Sequence, residues 1–182
     1  MERIVPWVTQ PLRLFFQDES RFGLMLEARR RITARGRKPL SPVSYVFAYY
    51  YLYAVVEPLT GANFFLEMPW LNGLCFQVFL DEFAKHYGES FNVIVLDNGA
   101  FHKAKTLVIP DNVMLLFLPP YCPELNPVER LWQAIKKGIR FGAFEKLGAL
   151  KAEVAQIVRR YSEAEVASLT GYGYVVDTMN AL

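Results

Sequence analysis

The chain has 182 residues, of which 53% are hydrophobic and 15% aromatic, which is enough apolar material for one globular domain over residues 1–182. This composition excludes a disordered or fibrous chain, and a formal net charge of +2 is too small to indicate a nucleic-acid partner by itself. The two cysteines, Cys75 and Cys122, lie far apart without a CxxC pair, which predicts neither a disulfide framework nor a zinc site.

The first half of the chain predicts three strands. Residues 12–18 (LRLFFQD) are apolar and aromatic and end in an acid, as is typical of a strand. Residues 45–56 and 63–68 are rich in β-branched and aromatic residues, and a turn with a proline and a glycine separates them. These two segments are therefore expected to form a hairpin.

The second half predicts helices and two buried strands. Apolar residues recur at helical spacing over residues 72–87. Residues 92–97 (NVIVLD) and 113–118 (VMLLFL) are continuous apolar runs, as expected for strands that are covered on both faces. Amphipathic helices are predicted over residues 126–139 and 145–161. The pattern indicates an α/β fold, a mixed sheet with helices on its faces.

The most apolar run of the chain covers residues 43–56 and has only 14 residues, too few to cross a membrane. The sequence also starts without the pattern of a signal peptide. We therefore expect a cytoplasmic protein that has no membrane partner.

Two aspartates, Asp18 and Asp97, end predicted strands at the sheet edge where ligand sites gather. If these strands are neighbours, the two carboxylates face each other, and hard divalent cations such as Mg²⁺ prefer carboxylate oxygens. Converging acids of this kind hold ions that clamp a phosphodiester. A second interpretation stays open on spacing alone, in which both are ordinary strand-end acids and Asp97 starts a plain turn.

A third acid comes from the segment PPYCPELNPVERLW, which contains both Glu124 and Glu129. Asn126 is suited to cap a helix and Pro127 to occupy its first position, so Glu129 falls at the third position. From there Glu129 either faces the site or closes an Asn-x-x-Glu capping box. The residue pattern leaves both roles open.

Three residue strings carry a family resemblance: FQDESRFGL at 16–24, VLDNGAFHKAK at 95–105 and LPPYCPELNPVERLWQAIKK at 118–137. They resemble the three acidic motifs of DDE transposases, specifically the mariner-like insertion-sequence-630 family. The string YLYAVVEPLTGANFFLEMP at 51–69 resembles the hairpin that follows the first acid in that family. The last of the three motifs is the most specific, and the resemblance covers most of residues 11–140.

The resemblance implies an RNase H-like mixed sheet, with three antiparallel strands followed by two parallel strands. It assigns the catalytic and metal-binding acids to Asp18, Asp97 and Glu129, and leaves Glu124 in a loop. It implies two Mg²⁺ or Mn²⁺ ions, cleavage at transposon ends and attack of the freed 3′-hydroxyl on target DNA. The expected partner is double-stranded DNA, both transposon ends and target, bound by a homo-oligomer.

Two features depart from the family pattern. Asp97 and Glu129 are slightly closer in sequence than is usual. Family members usually carry N-terminal helix-turn-helix domains, whereas the first motif here comes almost at Met1. The chain is then either the second reading frame of a split element or a fragment, and we expect a separate N-terminal DNA-binding polypeptide or the missing domain to recognise the ends. Two alternatives are a general RNase H-like nuclease and a catalytically silent DNA-binding or oligomerisation remnant of a mobile element.

Positive charges near the acids are candidates for DNA contact. Residues 29–38 (RRRITARGRK) carry six positive charges, suited to phosphate contact, on Arg29, Arg30, Arg31, Arg35, Arg37 and Lys38. His102 and Lys103 follow the second acid, and Lys136 lies seven residues after Glu129 on the same predicted helical face. The alternative for each is a solvated or structural side chain.

Overall fold

The computed structural model describes residues 10–24, 36, 47–120, 122–139, 144–173, 175 and 177. The six predicted basic contacts of the 29–38 segment lie outside the described residues: Arg29, Arg30, Arg31, Arg35, Arg37 and Lys38. In the part of the chain that is described, none of the helices combines the length and the apolar character that a membrane crossing needs.

A five-stranded mixed sheet forms the centre of the fold. Its strands are β1 (Leu12–Gly23), β2 (Tyr49–Val56), β3 (Asn63–Met68), β4 (Phe91–Leu96) and β5 (Val113–Phe117). Their order across the sheet is β3-β2-β1-β4-β5. β1, β2 and β3 pair antiparallel, while β1, β4 and β5 pair parallel. The predicted arrangement of three antiparallel strands followed by two parallel strands is confirmed.

Helices cover both faces of this sheet. Those with described bounds are α1 (Gly73–His86), α2 (Val128–Gly138), α3 (Leu147–Arg160) and α4 (Glu163–Thr170). The apolar side of α1 belongs to one buried cluster, while α2, α3 and α4 contribute to a second cluster on the opposite face. The sequence did not predict α4, although the Ser-x-x-Glu capping box at its start is a standard signal of a helix.

Side-chain alternation along β1 and β4 separates the two cores. Phe15 and Ile94 belong to the cluster under α1, while Phe16 and Val95 belong to the cluster under α2 and α3. Successive residues of a strand project to opposite faces, and the register pairs Phe16 with Val95. Two residues after this last pair come Asp18 and Asp97, and both line the same cavity.

The first strand is longer than the sequence predicts. β1 continues past Asp18 to Gly23, so Asp18 lies within the strand and the prediction that it ends the strand is wrong. The parallel pairing with β4 stops at Phe16, whereas the antiparallel pairing with β2 continues to Gly23. Pairing with β2 therefore keeps residues 19–23 extended, although their composition alone predicts the end of the strand.

Candidate active site

The three predicted acids line one cavity of about 420 Å³. Asp18 comes from β1, Asp97 directly follows β4, and Glu129 lies in the first turn of α2. The rest of the wall consists of polar and small residues and a proline-rich loop: Asn98, Gly99, Leu118, Pro119, Pro120, Cys122 and Asn126. The competing acid Glu124 lies in a short 3-10 helix, Pro123–Leu125, and does not line the cavity.

Asp18 is partly buried and surrounded by like charges. Burial raises the pKa of Asp18 well above its usual range, and the neighbouring Glu19 and Glu129 raise it further. Trp132 opposes this rise by donating a hydrogen bond from Nε1 to Asp18 Oδ2 at 3.0 Å. The negative charge around Asp18 remains poorly compensated, which is the electrostatic setting in which a cation binds well.

Asp97 is held differently, at the start of an exposed loop where its side chain is 63% accessible. The backbone N–H of Gly99 donates to Asp97 Oδ1 at 2.8 Å, as in an Asx turn. A Cβ at Gly99 would lie 3.1 Å from that oxygen, so a residue without a side chain suits this close approach. The turn interpretation and the site interpretation are therefore compatible, because the turn presents the carboxylate to the cavity.

His102 connects Asp97 with a buried glutamate behind the cavity. Its Nε2 lies 3.0 Å from Glu19 Oε1, and its Nδ1 lies 2.9 Å from Asp97 Oδ1. The second contact lacks hydrogen-bond geometry and is electrostatic. Gln17 donates to the same Glu19 oxygen at 2.7 Å, and the His102 ring packs 4.5 Å from that of Phe76. This buried placement favours a structural role for His102 over the predicted phosphate contact.

Glu129 reaches the cavity from the start of α2. Asn126 Oδ1 accepts a hydrogen bond from the N–H of Val128 at 3.2 Å, and Asn126 Nδ2 donates to the carbonyl of Gln17 at 2.8 Å. Asn126 therefore satisfies an early N–H of the helix and ties the helix to β1. The Asn-x-x-Glu capping box is not formed, which leaves the Glu129 carboxylate on the cavity wall.

The two lysines predicted to contact DNA differ in their position. Lys103 is exposed, donates to Oδ1 of the cavity residue Asn98, and lies 4.8 Å from the ring centre of Phe117. Lys136 is partly buried on α2, with its ammonium 5.9 Å from the ring centre of Phe22. Lys103 is thus joined to a side chain that lines the cavity.

Two partners in this site, Gln17 and Glu19, were missed by the sequence reasoning. Both project from β1 to the face opposite Asp18, where Gln17 is buried beneath α1. The alternation of side chains along a strand, continued past Asp18, predicts that Glu19 lies on the α1 face with Phe15. A buried glutamate requires a hydrogen-bonding partner. In the second motif, His102 has a ring nitrogen that can serve as this partner.

As they stand, the described residues contain no group of three or more His, Cys, Asp or Glu side chains close enough to hold a metal ion. The donor set nevertheless fits a hard divalent cation, because three carboxylates line one cavity. The uncompensated charge at Asp18 points the same way. Small side-chain rearrangements are sufficient to bring such groups onto an ion, since the carboxylates of Asp97 and Glu129 are accessible.

Residues 13–151 match the family described as DDE superfamily endonuclease. The chain belongs to this family. Its DDE domain is also 36% identical over 87 residues to the uncharacterized protein y4pE/y4sA of Sinorhizobium fredii (strain NBRC 101917 / NGR234), an alignment that covers 47% of this chain and 64% of that protein.

Solved transposase structures share the fold of this DDE domain. The Mos1 transposase paired-end complex with the left transposon end has a TM-score of 0.66 at 14% identity and covers 87% of this chain and 51% of that one. The Mos1 mariner paired-end complex with Mn has a TM-score of 0.65 at 12% identity, covering 87% and 52%.

A viral structure also shares this fold. The simian T-cell lymphotropic virus intasome in complex with PP2A regulatory subunit B56 gamma has a TM-score of 0.51 at 14% identity, covering 88% of this chain and 48% of that one. The chain thus spans about half the length of the solved structures it matches. The predicted RNase H-like fold is confirmed, and the family match confirms the predicted DDE-type endonuclease domain.

Proposed function

We propose that this chain is the catalytic domain of a transposase that cleaves transposon-end DNA and joins the freed 3′-hydroxyl to target DNA. The observation that carries the proposal is the single cavity lined by Asp18, Asp97 and Glu129 in a chain of the DDE superfamily of endonucleases. Two Mg²⁺ or Mn²⁺ ions belong to the proposal, and the solved Mos1 paired-end complexes with Mn and with Mg support them.

The three acids would hold these ions. When bound, the ions activate the attacking oxygen and stabilise the leaving oxygen of the phosphodiester. The chain itself prepares the ligands: Trp132 holds one oxygen of Asp18, and the N–H of Gly99 holds one oxygen of Asp97. The free carboxylates repel one another and the DNA phosphates, so activity requires that cations neutralise them first.

The proline-rich loop shapes the other side of the cavity. Leu118, Pro119 and Pro120 follow β5 and line the cavity opposite the acids. Asn98 donates a side-chain hydrogen bond to the carbonyl of Leu118, which joins this loop to the one that carries Asp97. Because proline fixes its φ angle, the loop forms a stiff apolar wall that limits where a DNA strand can lie.

The proposed partner is double-stranded DNA, from transposon ends and from the target, and Mos1 is described in paired-end and strand-transfer complexes. Lys103, next to the cavity residue Asn98, is our candidate for a phosphate contact. Lys136 and the basic 29–38 segment are proposed as further contacts. A homo-oligomer would hold two ends together.

The test is cleavage of a duplex that carries the terminal repeat of the element, with Mg²⁺ or Mn²⁺, by the wild type, Asp97→Asn and Glu129→Gln. We expect the wild type to cut and both variants to lose activity. Glu124→Gln is the matched control, because Glu124 lies five residues from Glu129 in sequence and outside the cavity. It should cut as the wild type does.

The outcomes separate the candidate functions. Equal activity of the wild type and Asp97→Asn would reject the site. Cleavage of unrelated duplexes at the same rate, without joined products, would favour a general nuclease. Failure to cut any duplex with either metal, with DNA binding retained, would favour a silent remnant.

A further inference from the structure

Helix α2 is attached to β1 immediately beside a catalytic acid. Trp132 lies one helical turn after Glu129, is only 2% exposed, and donates from Nε1 to Asp18 Oδ2. Its ring is enclosed by Phe22 and Phe65, whose ring centres lie 6.2 Å and 6.1 Å away in edge-on geometry. The indole is therefore fixed in position before any ligand binds.

The chemistry of an indole restricts what this bond can do. Its N–H donates and has no acceptor, so it pairs only with an oxygen that accepts. Bonded to Oδ2 of Asp18, it holds that oxygen as an acceptor, and together with the hydrogen bond from the backbone N–H of Glu19 it restrains the orientation of the carboxylate. Trp132 does not line the cavity, so any effect on a ligand there must pass through Asp18.

A second bond fixes the same helix on the same strand. Asn126 donates to the carbonyl of Gln17, the residue before Asp18. The two bonds join α2 to β1 at consecutive residues, one through the backbone and one through the carboxylate. Since Glu129 lies between Asn126 and Trp132 on this helix, they also fix the position of Glu129 relative to Asp18.

We propose that Trp132 is a positioning residue for the metal site: its indole N–H orients the Asp18 carboxylate so that the other oxygen binds the divalent cation. This inference rests on the proposed function, because it requires that Asp18 binds the ion. Hydrogen bonds from groups behind the ligands typically change metal affinity or activity by about 10- to 100-fold. Trp132 has the geometry of such a group.

The first test is calorimetric titration of Mn²⁺ into the chain without DNA, comparing the wild type with Trp132→Phe. Phenylalanine keeps an apolar ring and removes the N–H, so Mn²⁺ binding should weaken by about 10- to 100-fold. Phe65→Leu is the matched control, because it loosens the packing around the indole but leaves the N–H. Its Mn²⁺ affinity should stay within about threefold of the wild type.

The outcomes distinguish the inference from the function on which it rests. Equal Mn²⁺ affinity of the wild type and Trp132→Phe would overturn the positioning role alone. An equally large loss in Phe65→Leu would also overturn it, since packing rather than the N–H would then be responsible. A wild type that binds no Mn²⁺ would overturn the proposed metal-dependent function, and this inference with it.

A second measurement needs no change at Trp132. In ¹⁵N-labelled wild type, the indole N–H resonance of Trp132 should shift as Mg²⁺ is added, with the midpoint that a calorimetric titration of Mg²⁺ gives. The indole of Trp70, which is 60% exposed and does not line the cavity, supplies the internal control and should not move. A Trp132 resonance that stays in place at saturating Mg²⁺ would overturn the proposal even if Trp132→Phe fails to fold.

Discussion

Asp18 and Asp97 line the same cavity from β1 and from the loop after β4, but the protein holds them in opposite ways. Asp18 lies within a strand, partly buried, with burial and two glutamates raising its pKa. Asp97 lies after a strand end, is largely exposed, and is paired with the N–H of Gly99 and the ring of His102. Asp18 is thus surrounded by negatively charged neighbours, whereas Asp97 already has polar partners.

The difference shows that one sheet edge can present two carboxylates with different surroundings. A carboxylate inside a strand has a fixed backbone and poor hydration, so it gains most from a cation. A carboxylate in a loop after a strand remains hydrated and can adjust its position. We infer that Asp18 anchors the metal site and that Asp97 closes it.

The largest effect should come from removing either charge. Asp18→Asn and Asp97→Asn are each expected to lower the cleavage rate by about three orders of magnitude, because metal catalysis supplies several kcal/mol and each variant loses a ligand. Single-turnover cleavage with Mn²⁺ measures this effect, and Asp111→Asn, an exposed acid outside the cavity, is the control. If one aspartate variant kept near-normal activity, that aspartate would be a structural acid and only the other would be a metal ligand.

The next effect concerns the partner of Asp97. His102→Ala leaves Glu19 buried with only Gln17 as a neutral partner, so we expect the free energy of unfolding to fall by about 3 kcal/mol. Urea denaturation measures it. Lys85→Ala, which breaks the exposed Lys85–Glu82 pair, is the control and should change little. If the free energy of unfolding falls by the same small amount in both variants, the Glu19–His102 pair does not stabilise this region.

A smaller effect separates the two aspartates by pH. Because the pKa of Asp18 is raised in the folded state, the folded chain binds more protons than the unfolded chain between pH ~4 and that raised pKa. Without metal, the contribution of Asp18 to the free energy of unfolding therefore falls as the pH rises through this window, and it stays unfavourable above it.

Asp18→Asn removes this penalty, so at pH 7 in EDTA it should be more stable than the wild type by about 1 kcal/mol, the common size of a single-site effect. At pH 4 the two proteins should be close in stability. A constant difference between Asp18→Asn and wild type across this range would contradict the assignment of buried charge to Asp18.

The smallest effect is expected at the cavity rim. Lys103→Gln should weaken DNA binding a few-fold at low salt, for all sequences alike, and lower the slope of log affinity against log salt by about one. Fluorescence anisotropy with labelled duplexes at several salt concentrations provides the measurement. Lys105→Gln, an exposed lysine two residues away, is the control. Identical salt slopes for the wild type and Lys103→Gln would exclude a phosphate contact by Lys103.

Much of the fold could be predicted because burial determines the local pattern. The helix expected over residues 72–87 forms as Gly73–His86, and the strand expected over 92–97 forms as Phe91–Leu96. Both segments have apolar residues at the spacing of their structure and are covered by neighbouring elements. The hairpin of β2 and β3 forms around Gly61, which has a φ of 78°.

The remaining features depend on contacts that are distant in sequence. β1 stays extended through polar residues because β2 pairs with it, which the composition of β1 cannot show. His102 is buried because Glu19, 83 residues away, lies behind the cavity. The role of Glu129 was open because Asn126 suits a capping box, but Asn126 Oδ1 accepts from the N–H of Val128, two residues on, instead of from that of Glu129. The three acids that line the cavity were thus predictable, whereas the residues that support them were not.

The central claim is that Asp18, Asp97 and Glu129 together bind divalent cations. The most direct test is an anomalous difference map from crystals of this chain soaked in Mn²⁺. We predict at least one Mn²⁺ peak in the cavity, about 2.0–2.3 Å from carboxylate oxygens of Asp18 and of at least one of the other two acids. Peaks confined to sites outside the cavity, with the three carboxylates unchanged, would contradict the account.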